Sequence, residues 1–189
     1  MKSLVLKGSI LLALATFAVN VPVVEAEKPI PVQPTVAVVD ENHAAIVGAN
    51  AVLNAFLQNR PNATITEISF DSDNGMLKYE VDGFDGTGKY DLKYYPATNQ
   101  VVEERDGEYK SSLGRRAIDP SAILPPAAVV NYAFAQTKGE ATSLDDWSVK
   151  KEGNKIVYEV SFGTATQGEI DVKIDAATGE LLSVKKDKK

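Results

Sequence analysis

At 189 residues the chain is long enough for one large domain or two small ones. Its 44% hydrophobic and 24% charged content is that of a folded globular protein and excludes a disordered tail. The formal charge of −6 argues against nonspecific nucleic-acid binding, which needs a basic face. There is no cysteine, so stability rests on packing rather than on disulfides, even outside the cell.

The N-terminus reads as an export signal. Lys2 and Lys7 give a positive start, and residues 8–19 (GSILLALATFAV) are an apolar stretch. Val24 and Ala26 occupy the small-residue positions of a cleavage site, which assigns residues 1–26 to a signal peptide. The stretch falls short of the roughly 20 residues a bilayer span takes; left uncleaved, it would be a membrane anchor. Cleavage removes Lys2, Lys7 and Glu25 and takes the net charge from −6 to −7. With no cysteine to carry a lipid and no apolar C-terminal tail, the expected location is extracellular or associated with the cell envelope. The composition suits a Gram-positive bacterium.

Residues 27–42 carry Pro29, Pro31 and Pro34, which favour an extended linker. Beyond it the sequence repeats itself. KYEV at Lys78 recurs as VYEV at Val157, an offset of 79 residues. GKYDLKYYPATNQVV from Gly88 recurs as GEIDVKIDAATGELL from Gly168, an offset of 80, and AFLQ from Ala55 recurs as AFAQ from Ala133, an offset of 78. A drift of one residue is what insertions at turns produce. Two tandem domains are expected, over 43–110 and 119–185. A linker (111–118) joins them and a basic tail (186–189) follows.

Each copy begins with helical spacing. Ile46, Ala49, Leu53, Phe56 and Leu57 mark the first helix. The second helix starts at Pro126, where a missing N–H costs nothing, and turns Val129, Val130, Ala133 and Phe134 inward. An earlier turn begins at Asp119-Pro120. Strands with period-two alternation follow. Ile68 and Phe70 precede Asn74-Gly75, and Leu77, Tyr79 and Val81 come after it; Trp147 and Val149 precede Gly153-Asn154, with Tyr158, Val160 and Phe162 after. Tyr90, Leu92 and Tyr94, and then Ile170, Val172 and Ile174, alternate with charged residues, and short last strands lie around Val101 and Leu181. The fold class expected is α+β: two tandem repeats, each a helix packed on a three- to four-stranded antiparallel β-meander.

Asp71, Asp73, Asn74 and Gly75 also suggest a calcium loop. Counting from Asp71, however, the glycine falls one position early and the twelfth residue is Asp82 rather than Glu. The second copy replaces the aspartates by Lys150 and Glu152. The hairpin reading makes a sharper statement. A two-residue turn sets Asp73 opposite Met76, Phe70 opposite Tyr79 and Ile68 opposite Val81, and in the second copy Val149 opposite Tyr158 and Trp147 opposite Val160.

A helix, then YEV, then DVKIDAATGELL resembles a PepSY domain. The second copy carries the family's tail in Asp175, Thr178, Gly179, Glu180 and Leu181, whereas the first has Tyr95, Pro96, Asn99 and Gln100 in place of the Asp, the next small residue, the Gly and the Glu. The resemblance implies a non-catalytic, extracytoplasmic module that inhibits or regulates a secreted peptidase or cell-wall hydrolase. It carries over no catalytic residues.

The residues themselves offer little chemistry. His43 is the single histidine; without a second histidine or a cysteine it is a poor metal site, and Ser-His and Cys-His arrangements are hard to build. It is expected beside a helix cap. DGFDGTG (82–88) reads as a hairpin loop rather than a phosphate loop. No enzyme activity, cofactor or metal is expected. Lys78, Glu80, Asp91, Lys93, Glu159, Asp171 and Lys173 alternate onto the polar sheet face, as cross-strand charge pairs or as contacts for a partner. The expected partner is a secreted peptidase or wall hydrolase. The alternative is a module that binds an envelope polymer or small extracellular ligand.

Overall fold

The computed structural model describes residues 38–187 apart from Asn74. The signal peptide, most of the proline-rich segment, the first hairpin's Asn74 and the last two lysines lie outside the described residues.

Helix α1 (Ala44–Asn59) is capped by His43, whose Nδ1 accepts the Ala45 N–H at 3.2 Å. Its buried stripe is Ile46, Ala49, Val52 and Phe56, with Leu53 and Leu57 at the margin. The meander β1 (Thr64–Asp73), β2 (Met76–Asp85), β3 (Gly88–Tyr95) and β4 (Gln100–Gly107) follows. Two short 3-10 turns, Ser111–Arg116 and Pro120–Ala122, lead to helix α2 (Pro126–Gln136). The second turn is opened by the Asp119 carboxylate, which accepts the Ser121 N–H at 2.9 Å. A second meander completes the chain: β5 (Ala141–Glu152), β6 (Lys155–Thr164), β7 (Glu169–Asp175) and β8 (Leu181–Asp187).

The α+β class holds, but the two meanders do not form separate layers. They share one eight-stranded sheet in the order β4-β3-β2-β1-β5-β6-β7-β8. The joint is an antiparallel pairing of β1 with β5, which sets Ile68 opposite Val149, Ser69 opposite Ser148 and Phe70 opposite Trp147. The cause is the open edge that each meander would otherwise leave at its first strand. Pairing the two edges satisfies their backbone N–H and C=O groups and continues one apolar face across both halves.

The hairpin registers agree with the sequence reading. Phe70 faces Tyr79, Ile68 faces Val81 and Asp73 faces Met76. Val149 faces Tyr158 and Trp147 faces Val160. Three boundaries differ. Residues 111–118 are not a free tether: Ile118 is buried and donates its N–H to the Ile65 carbonyl at 2.9 Å. The last strands run further than expected, so Lys186 and Asp187 belong to β8 rather than to a tail. Most of DGFDGTG is strand, with a turn only at Gly86-Thr87.

Gly83 explains that last difference. A Cβ there would come within 2.7 Å of the Phe56 ring and 2.8 Å of the Thr64 carbonyl, so the glycine serves helix approach rather than loop freedom. Helix α1 lies over β1, β2 and β3, and α2 over β6 and β7. Both cover the apolar face: Trp147 Nε1 donates to the Ala45 carbonyl at 2.9 Å, and Phe134 meets Phe162 with ring centroids 6.0 Å apart. The opposite, polar face carries neither helix.

Candidate functional site

Period-two alternation sends every second residue of these strands to the polar face. Lys78 stands between Asp71 (3.0 Å) and Glu80 (3.1 Å). Lys93 pairs with Glu104 at 2.8 Å and reaches Glu80 at 4.0 Å. Asp91 is buried and lies 3.3 Å from Lys89, which also contacts Asp82 (3.4 Å) and Asp106 (2.6 Å). In the other half Lys173 bridges Glu152 (2.8 Å) and Glu159 (3.4 Å), and Asp171 accepts the Ser161 hydroxyl at 3.0 Å. The seven residues singled out in the sequence therefore fall into two groups. Lys78, Glu80, Asp91 and Lys93 belong to one; Glu159, Asp171 and Lys173 belong to the other. Between them lie β1 and β5, tied by Glu67 and Lys150 at 3.5 Å.

Sequence reasoning missed Glu67, Asp82, Lys89 and Asp146. Glu67, Asp82, Asp91 and Glu104 stand opposite one another across four neighbouring strands. Like charges placed directly across a ladder are destabilising. The corresponding row in the second half is Asp146, Ser161, Asp171 and Lys185, where a hydroxyl and an ammonium relieve the repulsion. Glu67, Asp71, Glu80, Asp82 and Asp146 line a 330 Å³ depression beside Ser69 and Ser148 at the β1–β5 joint.

Burial, then the Asp91 charge, pushes the Asp82 carboxyl up to about 7; Glu80 and Glu67 add to this and Lys89 opposes it. Burial likewise raises Asp146 to about 6, with the Ser161 hydroxyl beside it opposing the rise and Glu169, Asp145 and Asp171 adding to it. Burial works against the Lys89 charge, yet its carboxylate neighbours outweigh that and hold the ammonium above its ordinary range. A carboxyl raised on folding keeps its proton in the native chain after the unfolded chain has lost it. Stability is thus fully present below the ordinary aspartate range and falls as pH rises through about 7 for Asp82. Asp82→Asn is expected to flatten this fall, gaining on the order of 2 kcal/mol over the wild type at pH 8 and little at pH 4. Urea unfolding at both pH values checks it; equal effects at the two would refute the assignment.

Glu80, Asp82 and Asp91 each offer a carboxylate oxygen, all within 4.8 Å of one another. Oxygen ligands of this kind suit a hard divalent cation, but Lys89 already supplies positive charge to two of the three. Asp71, which suggested calcium in the sequence, turns its carboxylate to Lys78 within the first hairpin.

The turn between β7 and β8 explains the Asp-x-x-Thr-Gly-Glu sequence. Asp175 Oδ1 accepts the N–H groups of Ala177 and Thr178, each at 3.1 Å. Gly179 supplies the left-handed backbone, with φ of 77°. Glu180 and Asp175 both close on Lys155, at 3.0 and 3.3 Å. Residues 123–185 match the PepSY family, the peptidase propeptide and YPEB domain. The PepSY match covers α2, β5–β7 and all but the last two residues of β8. In the first half, where the PepSY tail is absent, Asn99 takes the glycine's place with φ of 50°, a conformation that asparagine tolerates better than most residues.

The crystal structure of a candidate lipoprotein from Clostridium difficile 630 has a similar fold, with a TM-score of 0.63 and 22% identity. The likeness covers 73% of this chain and 91% of that one. No curated protein matches the sequence. Among the described residues no helix is long and apolar enough to cross a membrane.

Proposed function

We propose that the protein is exported and non-catalytic, and that it binds and inhibits or regulates a secreted peptidase or cell-wall hydrolase. Its two halves are read as copies of one unit, because the order of a helix and four strands recurs with matching hairpin registers. The PepSY match supports the peptidase connection, and the N-terminal sequence supports export. The observation that carries the docking mode is the helix-free polar face. There a row of four carboxylates is kept across β1–β4 despite its mutual repulsion. Lys89, Lys93 and Lys150 interleave with the row, so the face is complementary to a partner surface that carries charges of both signs. Lys78, Glu80, Asp91 and Lys93 form the first contact group, and Glu159, Asp171 and Lys173 the second. The edges of β4 and β8 offer strand pairing as well.

The test is inhibition. Purified chain is titrated against secreted peptidases and wall hydrolases of the same organism, at low and high salt. A dose-dependent, salt-sensitive loss of activity is expected, weakened about tenfold by the double substitution Asp82→Asn, Asp91→Asn. No effect on any of these enzymes would overturn the proposal.

A further inference from the structure

The helix layer leaves a gap. Helix α1 packs over β1–β3 and α2 over β6 and β7, so β5 and its border with β1 lie beneath the space between the helices. A cavity of 370 Å³ opens there, on the face opposite the carboxylate row. Ile68, Trp147 and Tyr158 form its floor, and Leu53 and Leu124 stand at its sides. Apolar cavities of roughly 150 Å³ already accept benzene, so this one holds a molecule of several carbons.

Its floor has no free polar group to offer. The Trp147 N–H is taken by the Ala45 carbonyl at 2.9 Å, and the Tyr158 hydroxyl by the Leu124 carbonyl at 3.0 Å. What remains is apolar surface, the exposed amide of Asn50 and, at the rim, Glu41, the one charged side chain along the lining among the described residues. Glu41 is exposed, yet its charge reaches the floor: with burial as the larger cause, it raises the Tyr158 hydroxyl above its ordinary range. Apolar surface beneath a single carboxylate selects by sign. It disfavours anions, leaves a neutral polar group only the Asn50 amide, and suits a cation. We propose that this cavity binds a small organic cation with an apolar body, its ammonium end paired with Glu41. This site stands apart from the polar face and does not depend on the proposed peptidase partner.

Trp147 is the only tryptophan in the chain, so its fluorescence reports on the cavity directly. Hexylamine, hexanol and hexanoate, titrated at pH 7, separate shape from charge. Hexylamine is expected to shift the emission saturably and to bind about tenfold more tightly than hexanoate, with hexanol between. Glu41→Gln should erase the preference for the amine while leaving hexanol unchanged. Leu53→Phe, which fills the side of the cavity, should weaken all three. No saturable shift, equal binding of amine and carboxylate, an unchanged preference in Glu41→Gln, or full binding in Leu53→Phe would each overturn the proposal.

Discussion

Replacing Trp147 by alanine is expected to lower unfolding free energy by about 3–5 kcal/mol, the range for deleting a large buried aromatic. Trp147 is 1% exposed and faces Phe70 across the β1–β5 joint and Val160 within its own hairpin. Its ring meets Tyr158 at 6.0 Å between centroids. Its N–H, donated to Ala45, ties the second half to the first helix. One side chain therefore holds three elements, and its loss leaves a void and removes the hydrogen bond to the first helix. Trp147→Phe separates the two contributions: it keeps most of the packing, drops the hydrogen bond, and should cost about 1–2 kcal/mol. Urea unfolding followed by circular dichroism measures both. A cost below about 1 kcal/mol for the alanine variant would show that this residue does not hold the joint together.

The second large effect runs against helix propensity. Gly48 lies in the interior of α1, where alanine would ordinarily gain about 1 kcal/mol. A Cβ at Gly48, however, would overlap the Tyr79 ring. That ring cannot swing aside. It is buried, its hydroxyl is bonded to the Ala44 carbonyl, and Phe70 and Tyr94 flank it at 5.3 and 6.1 Å. Gly48→Ala is expected to destabilise by about 1–3 kcal/mol, as overpacking does. Adding Tyr79→Leu should recover part of the loss, and a double-mutant cycle from denaturant midpoints reads the coupling. Simple additivity would mean that the two residues do not press on each other.

Hairpin register was legible because alternation and a tight turn together leave one way to bury Phe70 with Tyr79 and Val149 with Tyr158. The β1–β5 joint was not. Both strands alternate in the same way, and nothing local encodes which edge meets which. The seven polar-face residues were legible for the same period-two reason. Asp82 and Lys89 escaped because Gly83, Gly86 and Gly88 made their surroundings look like a loop. Gly83 is there to let Phe56 approach the sheet, a requirement visible only once helix and strand are set together. Counting by twos from Glu80 to Asp82, and back from Asp91 to Lys89, would have found both. Glu67 and Asp146 needed the joint itself, since their setting comes from strands of both halves.

That joint has a consequence for how the chain folds. Six of the seven strand pairings link sequence neighbours; β1 with β5 is the exception. The six close over short turns and can form early, each half gathering its own hairpins. The seventh must bring Phe70 to Trp147 across all of β2–β4, both 3-10 turns and α2, and such distant closures are slow. Until it forms, the inner edges of β1 and β5 stand open, and β1 of one chain is able to pair with β5 of another. Swapped dimers joined through β1 and β5 are thus the expected misfolded product of concentrated refolding.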